Sequence, residues 1–211
     1  MRGPPVPNAP GAASLVGEPS LSTRIVTERL ALRPPRTSDV PEMRRALRHN
    51  AAHLQPWSVA PVPGEDVTSL TSVSRAVLRH RKEWKHGQAF VLLITRRDDD
   101  RTILGRLALG GVLRGAFQNA YLGYWIDAER QGEGLMTEAV RATTAFALTS
   151  VGLHRVQAAV MPRNVASQRV LDKVGYRREG LAHRYLCIAG AWEDHLIFAV
   201  TAEEWARRDL G

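Results

Sequence analysis

In the stretch ERQGEGLMTEA, Glu129 to Ala139, two glycines stand one residue apart behind Arg130 and Gln131, just before an apolar helical pattern. Free amides at a helix start carry partial positive charge and receive phosphate oxygens. Glycine lets a ligand approach the backbone with no Cβ in the way. Gly132 and Gly134 therefore suit a pyrophosphate cradle to which Arg130 adds charge, although a plain strand-to-helix turn would use the same residues. The dinucleotide fingerprint G-x-G-x-x-G is absent, and the preceding strand comes late in the chain. The second stretch is NVASQRVLDKVGY, Asn164 to Tyr176. Asn164 opens a short helix, either as its cap or as a hydrogen-bonding group for a ligand. Helical spacing sets Ser167 among Ala166, Val170, Leu171 and Val174 on the apolar side. A hydroxyl there needs a partner, which a ligand or its own helix backbone could supply.

These residues need elements to position them. RIVTERLALRP reads as a short strand, with Leu30 and Leu32 alternating against Ala31 and Arg33. A helix follows, capped by Ser38 or Asp39 with Pro41 in its first turn. After a Pro-rich loop, QPWSVAPVPGED, a basic helix runs from about Thr68 to His86, where Gly87 ends it. QAFVLLITRR, TILGRLALGGV and AYLGYWI are three strands. Beyond Ile126 the pattern becomes helix (Leu135 to Ser150), strand (HRVQAAVM), helix (Asn164 to Val174, stopped by Gly175) and a hairpin turning at Ala189-Gly190. The expected class is α/β (α+β), with a mixed, mostly antiparallel central sheet of about seven strands flanked by helices.

Bulk properties set limits. The chain has 211 residues, enough for one domain with a real core. The first 20 residues hold five prolines and three glycines, so residues 1–22 read as a disordered tail and 23–211 as the domain. Lys+Arg exceed Asp+Glu by 29 to 21, a net charge of +8 that favours an anionic partner. A single cysteine, Cys187, excludes an internal disulfide and fits a reducing cytoplasm. Seven scattered histidines show no metal-ligand spacing, so no metal is expected. No apolar run approaches the roughly 18 residues of a spanning helix, so no membrane contact is expected.

The two motifs together resemble the GNAT superfamily of acyl-CoA N-acyltransferases, which pair Q/R-x-x-G-x-G/A with a later N-x-x-S/A-x-x-hydrophobic-hydrophobic-x-K-x-G-F/Y. Gln131, Gly134 and Met136 take the first pattern's fixed places, with methionine replacing the last small residue. That departure resembles the RimJ/RimL-like branch of ribosomal-protein N-terminal acetyltransferases. TERLALRP, LQPW, LRGAFQNAYLGYWI and YLCIAGAWEDH have counterparts on the RimJ-like side, so the likeness runs from about residue 23 to 204. It implies the GNAT fold and acetyl-CoA as co-substrate. Arg130, Gln131, Gly132, Glu133, Gly134, Leu135 and Met136 would hold the pyrophosphate. Tyr124, Trp125 and Ile126 would pair with the pantetheine arm as an added strand, and Asn164 would hydrogen-bond it. Many relatives carry a tyrosine where this chain has Leu171, which implies that Ser167 protonates the departing thiolate. Trp57 would border the acceptor, or anchor its own loop.

The general base is missing from its RimL-like place, where Leu186 stands beside Tyr185. A magnitude shows why this is tolerable. An α-amine of pKa about 7.7–8.0 is roughly 10 per cent neutral at pH 7, a lysine only about 0.04 per cent, a gap of roughly 3.4 kcal/mol. A water chain ending on Tyr185 or Glu83 would then suffice. The resemblance and this argument together give an acetyl transfer to a protein N-terminal amine, alanine of a ribosomal protein. The alternatives are a small-molecule amine acetyltransferase acting on an antibiotic or polyamine, and a non-catalytic RNA-binding assembly factor. Trp192, Asp194 and His195 in GAWEDH read as structural pairing. Arg75, Arg79, Arg81, Lys82 and Lys85 form a basic face that is either solvated or in contact with ribosomal RNA.

Overall fold

A computed structural model describes residues 19–61 and 64–208. Most of the expected tail, residues 1–18, lies outside the described residues, as do 62 and 63 of the Pro-rich loop. Residues 20–23 are not tail-like. They close a turn through Thr23 N to Ser20 O at 3.0 Å, and Leu21 packs on the core.

The single strand expected in RIVTERLALRP is two, β1 (Ile25–Val26) and β2 (Leu30–Arg33), joined by a hairpin. Next come α1 (Val40–His49), a short α2 (Ala51–Leu54) that the apolar spacing did not reveal, and α3 (Leu70–Lys85). Asp39 stands at the cap position of α1, but its carboxylate grips the buried Arg33 at 2.7 and 2.9 Å instead of capping. Ser69 Oγ caps α3, accepting from Ser72 N. The remaining elements are β3 (Phe90–Arg96), β4 (Gly105–Leu113), β5 (Asn119–Ile126), α4 (Leu135–Thr149), β6 (Arg155–Val160) and α5 (Val165–Val174). A hairpin of β7 (Arg177–Ile188) and β8 (Ala191–Thr201) and a last helix, α6 (Ala202–Arg208), complete the chain.

The strands form one sheet in the order β1-β2-β3-β4-β5-β6-β8-β7, eight strands where about seven were expected. Only β5 and β6 run parallel. The larger core lies between the sheet and α4 and α5, where Leu135, Ala139, Phe146, Leu171 and Val174 meet Leu107, Leu109, Val156 and Phe198. On the opposite face α1 and α3 cover Leu93, Ile103 and Trp125. That second layer covers only part of the sheet, and Tyr121 and Leu113 stay exposed.

The topology makes one opening. β5 and β6 pair only at Asn119↔Arg155, Ala120↔Val156 and Tyr121↔Gln157. Past that point β5 stays paired to β4 as far as Ile126, and β6 stays paired to β8 as far as Leu196. Leu122 to Ile126 therefore present one unpaired backbone edge to a gap, an arrangement that invites an added strand. At the far end of β4, Gly105 is fixed sterically, because a Cβ there would stand 2.3 Å from the Trp125 carbonyl oxygen.

Candidate active site

The gap leads to the loop that the sequence singled out. Gly132 and Gly134 have φ of 80° and 77°, a left-handed conformation that side chains disfavour. Neither is crowded: a Cβ on Gly134 would meet only Arg29 Nη2, at 3.6 Å. Backbone conformation, not space, requires glycine here. Among the described residues no backbone acceptor takes the amides of Gly132 to Thr137, so the start of α4 is an open donor cluster.

The loop is braced from three sides that sequence reasoning missed. Glu138, in the first turn of α4, accepts from Thr27 Oγ1 at 2.6 Å, Arg29 N at 2.9 Å and Arg29 Nε at 2.7 Å. Burial pushes the Glu138 carboxyl up, but these hydrogen bonds outweigh it and hold the pKa below its ordinary value. Arg29 Nη1 also donates to the Glu133 carbonyl at 2.9 Å, while the Glu133 carboxylate meets Arg96 at 3.1 Å and Arg130 at 3.5 Å. From below, buried Asn50 donates to Asp127 Oδ2 at 3.1 Å and accepts from Ala128 N at 2.9 Å. Gln131 Nε2 lies 2.9 Å from His53 Nε2. The signal available in the sequence was TERL itself, whose Thr27 and Arg29 do the bracing. His49, Asp127 and Glu129 bring ligand-type atoms within 4.8 Å of one another. The Asp127 oxygens already accept from Asn50 and from Glu129 N, which fixes the turn after β5.

Across the gap, Asn164 caps α5 with Oδ1 accepting from Ser167 N at 3.1 Å. Ser167 is half-buried, whereas Ala166, which the helical spacing set beside it, is exposed. The partner that the Ser167 hydroxyl needs is Tyr124: the two oxygens lie 2.8 Å apart. The Tyr124 hydroxyl also donates to the Ser167 carbonyl, at 3.2 Å. Burial pushes the Tyr124 phenol well above its ordinary pKa, with the Ser167 contact opposing in part, so the phenol stays protonated. Leu171 is fully buried in the core and offers no chemistry. The periodicity of AYLGYWI showed Tyr124 only as a strand residue; its pairing with Ser167 depends on α5 folding back over β5.

Trp125 and Ile126 do not share that surroundings. Trp125 packs with the α1–α3 layer and Ile126 with the main core, so only their backbone faces the gap. Trp57 lies 5.8 Å from the Arg163 guanidinium, and Arg163 Nη1 donates to Glu193 at 2.8 Å. Ser58 O accepts from Ala189 N at 2.9 Å, tying the Trp57 loop to the β7–β8 turn.

Tyr185 sits in a break of the β7–β8 register between Ala182 and Leu186. Asp194 stitches this bulge, accepting from Arg184 N at 2.8 Å and lying 3.0 Å from His183 Nδ1. The Tyr185 ring faces His195, centroids 5.7 Å apart. His195 is 3% exposed, and its Nδ1 lies 2.9 Å from the Glu193 carbonyl oxygen. A carbonyl only accepts, so Nδ1 carries a hydrogen. Glu83 is turned toward Arg79, at 3.8 Å. The arrangement thus offers a cluster of open backbone amides, an unpaired strand edge and a hydroxyl pair around one gap, with Tyr185 and His195 paired on β7 and β8.

Comparison with known proteins agrees with this architecture. Residues 29–177 match the acetyltransferase (GNAT) domain. The chain is 32% identical over 182 residues to the [ribosomal protein uS5]-alanine N-acetyltransferase of Escherichia coli (strain K12), covering 86% of this chain and 92% of that one. It superposes on the ribosomal-protein-S5-alanine acetyltransferase of Vibrio fischeri with a TM-score of 0.81 at 29% identity, covering 87% and 99% of the two chains. Mycobacterium smegmatis RimJ, solved in complex with CoA-disulfide, gives 0.77 at 37% identity, covering 86% and 87%. Among the described residues no helix is long and apolar enough to cross a membrane. A family match over most of the chain and the open β5–β6 gap lead to one assignment: this chain is a GNAT-fold acyltransferase of the RimJ/RimL type.

Proposed function

We propose that the protein transfers the acetyl group of acetyl-CoA to the N-terminal α-amine of a protein, alanine of a ribosomal protein. The carrying observation is the 2.8 Å contact between Tyr124 and Ser167 beside the gap. The Gln131–Met136 amides hold the pyrophosphate with charge from Arg130, and the Tyr124–Ile126 edge pairs with the pantetheine arm. Asn164 is spent on its helix through Oδ1, leaving Nδ2 for that arm. The neutral amine attacks the thioester carbonyl carbon, the new C–N bond forms and the C–S bond breaks. Tyr124, whose hydrogen goes to the Ser167 carbonyl, positions the Ser167 hydroxyl, which turns its hydrogen from the phenol oxygen to the departing thiolate and gives up that proton. The proton lost by the amine passes to His195 Nε2, directly or through a water held at Tyr185. His195 thus takes the base role that the sequence left to Tyr185 or Glu83. Ser167 regains its proton from solvent, and His195 releases its own there.

The acceptor reaches the gap between Trp57 and Tyr185, on the side of the sheet away from α4. A weak base suffices only for an amine that is already partly neutral, which favours an α-amine over lysine by roughly 3.4 kcal/mol at pH 7. Acetylation of an alanine-starting peptide should therefore outpace that of the same peptide with a blocked N-terminus and free lysines, as read by mass spectrometry at pH 7. Equal rates, or a lysine preference, would sink this reading. The relatives named for alanine N-acetylation of a ribosomal protein support the acceptor class.

A further inference from the structure

Arg106 on β4 is the register partner of Trp125 on β5. Its side chain lines a narrow cleft with Met43, Leu47, Leu93, Ile103 and Trp125. Among the described residues no side-chain hydrogen bond or ion pair reaches its guanidinium, and the charge that acts on it is a second cation, Arg79 of α3. His80 lies against the same two arginines, 7% exposed and with Nδ1 lacking a partner. Burial and those cations push its pKa down to about 4, so it supplies no charge at neutral pH. Arg79 is exposed and, among the described residues, forms an ion pair only with Glu83, at 3.8 Å. A guanidinium drawn into an apolar cleft without an acid opposes folding. A ligand that brings the counter-charge removes that penalty and gains a planar, two-point contact.

Position says which ligand. Tyr124 and Ser167 lie on the α4–α5 side of the sheet; Arg106 and Trp125 lie on the other. β4 is one strand spacing, about 4.8 Å, from β5, and an extended peptide advances about 3.3 Å per residue. By these spacings, a side chain on the second to fourth residue of an acceptor whose amine sits in the gap spans the distance to β4.

We propose that Arg106 and Arg79 form an anion subsite that selects acceptors carrying a carboxylate close behind the reacting amine. This rests on the α-amine reading above and adds a side-chain preference to it. The carboxylate belongs to an acidic residue of a peptide or to a small amino-acid-like amine.

Rates of acetylation decide between these. Alanine-starting peptides with glutamate, glutamine or lysine at the third position are compared with free glutamate, for the wild type, Arg106→Gln and Arg101→Gln. In the wild type kcat/KM should favour the glutamate peptide over the glutamine peptide by about tenfold or more, and added salt should shrink the ratio. Arg106→Gln should bring the ratio near one, while Arg101→Gln, the same charge change in the exposed turn before β4, keeps it. Arg106→Gln should also melt no lower than wild type, since an unpaired half-buried charge is gone. If it fails to fold, Arg79→Gln gives the same comparison with a smaller drop. Free glutamate outpacing every peptide keeps the subsite and assigns its carboxylate to a small amine. Turnover of the neutral peptide with no acidic preference, or a preference that survives Arg106→Gln, overturns the subsite alone. No turnover of any peptide or of glutamate overturns the α-amine reading, and the subsite with it.

Discussion

The two sides of the β5–β6 gap are built differently. On the cradle side, consecutive residues make the site, and Arg29, Glu138, Asn50 and Asp127 lock it through hydrogen bonds of 2.7–3.1 Å. On the side proposed to take the acceptor, Trp57, Arg106, His80, Tyr185 and His195 come from five separate elements, with a bulge in β7 and, among the described residues, an arginine left unpaired. An acyl donor is the same molecule in every turnover, so its site can be a short, rigid backbone device. Acceptors vary, and side chains brought from afar can change one at a time without disturbing the cradle.

Gly134→Val tests the cradle side hardest. Valine at φ 77° would either strain the turn or move its amides away from the ligand. CoA should bind about a hundredfold more weakly in calorimetry. Unchanged affinity would mean that the loop is merely a turn.

The left-handed glycine loop and the helix starts were legible because their signal is local: two glycines, a helix start and the spacing from Asn164 to Gly175 all survive in one dimension. The strand and helix order from β3 onward was legible for the same reason, since each element has its own period. Tyr124 paired with Ser167, and His195 held by the Glu193 carbonyl, were not legible. Their chemistry depends on contacts across 43 residues in one case and on a bulge in the other. The split of β1 from β2 was not legible either: Thr27 and Leu30 close the turn with hydrogen bonds to each other, using residues that also suit a continuous strand, and Glu138, 111 residues away, fastens it.

Ser167→Ala tests the seam between the two sides. General acid help is worth about 10²–10⁴-fold, and a thiolate is a fair leaving group, so a loss near a hundredfold is expected. It should appear in single-turnover rates, with CoA affinity nearly unchanged, and shrink as pH falls from 9 to 6. Tyr124→Phe should lose less, because Ser167 keeps its hydroxyl. An unaltered rate in Ser167→Ala throughout would leave solvent as the acid.

His80 sharpens the comparison from the acceptor side through stability. Its folded pKa of about 4 lies below the ordinary 6.5, so the unfolded chain binds protons first as pH falls. The neutral ring's contribution is full above pH 6.5 and is lost progressively down to about 4, by about 2 kcal/mol at pH 5. His80→Phe should flatten that part of the stability profile in urea melts. A slope that persists in the variant would place the titration elsewhere.

The smallest effect is expected at the brace. Glu138→Gln keeps the shape but weakens charge-assisted bonds to Arg29, by about 1 kcal/mol, and CoA affinity should fall severalfold. The Glu138 pKa is lowered in the folded protein, so its stabilisation is present above the ordinary carboxylate range and fades as pH drops through the folded value. The variant should lack that acid-side loss when melting temperature is followed against pH.

The bulge that carries Tyr185 has a consequence for solubility. β7 is the outermost strand, 12 residues long, with Leu181 and Leu186 exposed. A strand of that length at a sheet edge is a template on which a foreign strand can polymerise. Arg184, at φ 47°, and the register breaks between Arg178 and Gly180 and between Ala182 and Leu186 cut this edge into three short runs. A stray strand finds no continuous ladder to copy, so the irregularity that shapes the acceptor side also guards the molecule against fibrillar self-association.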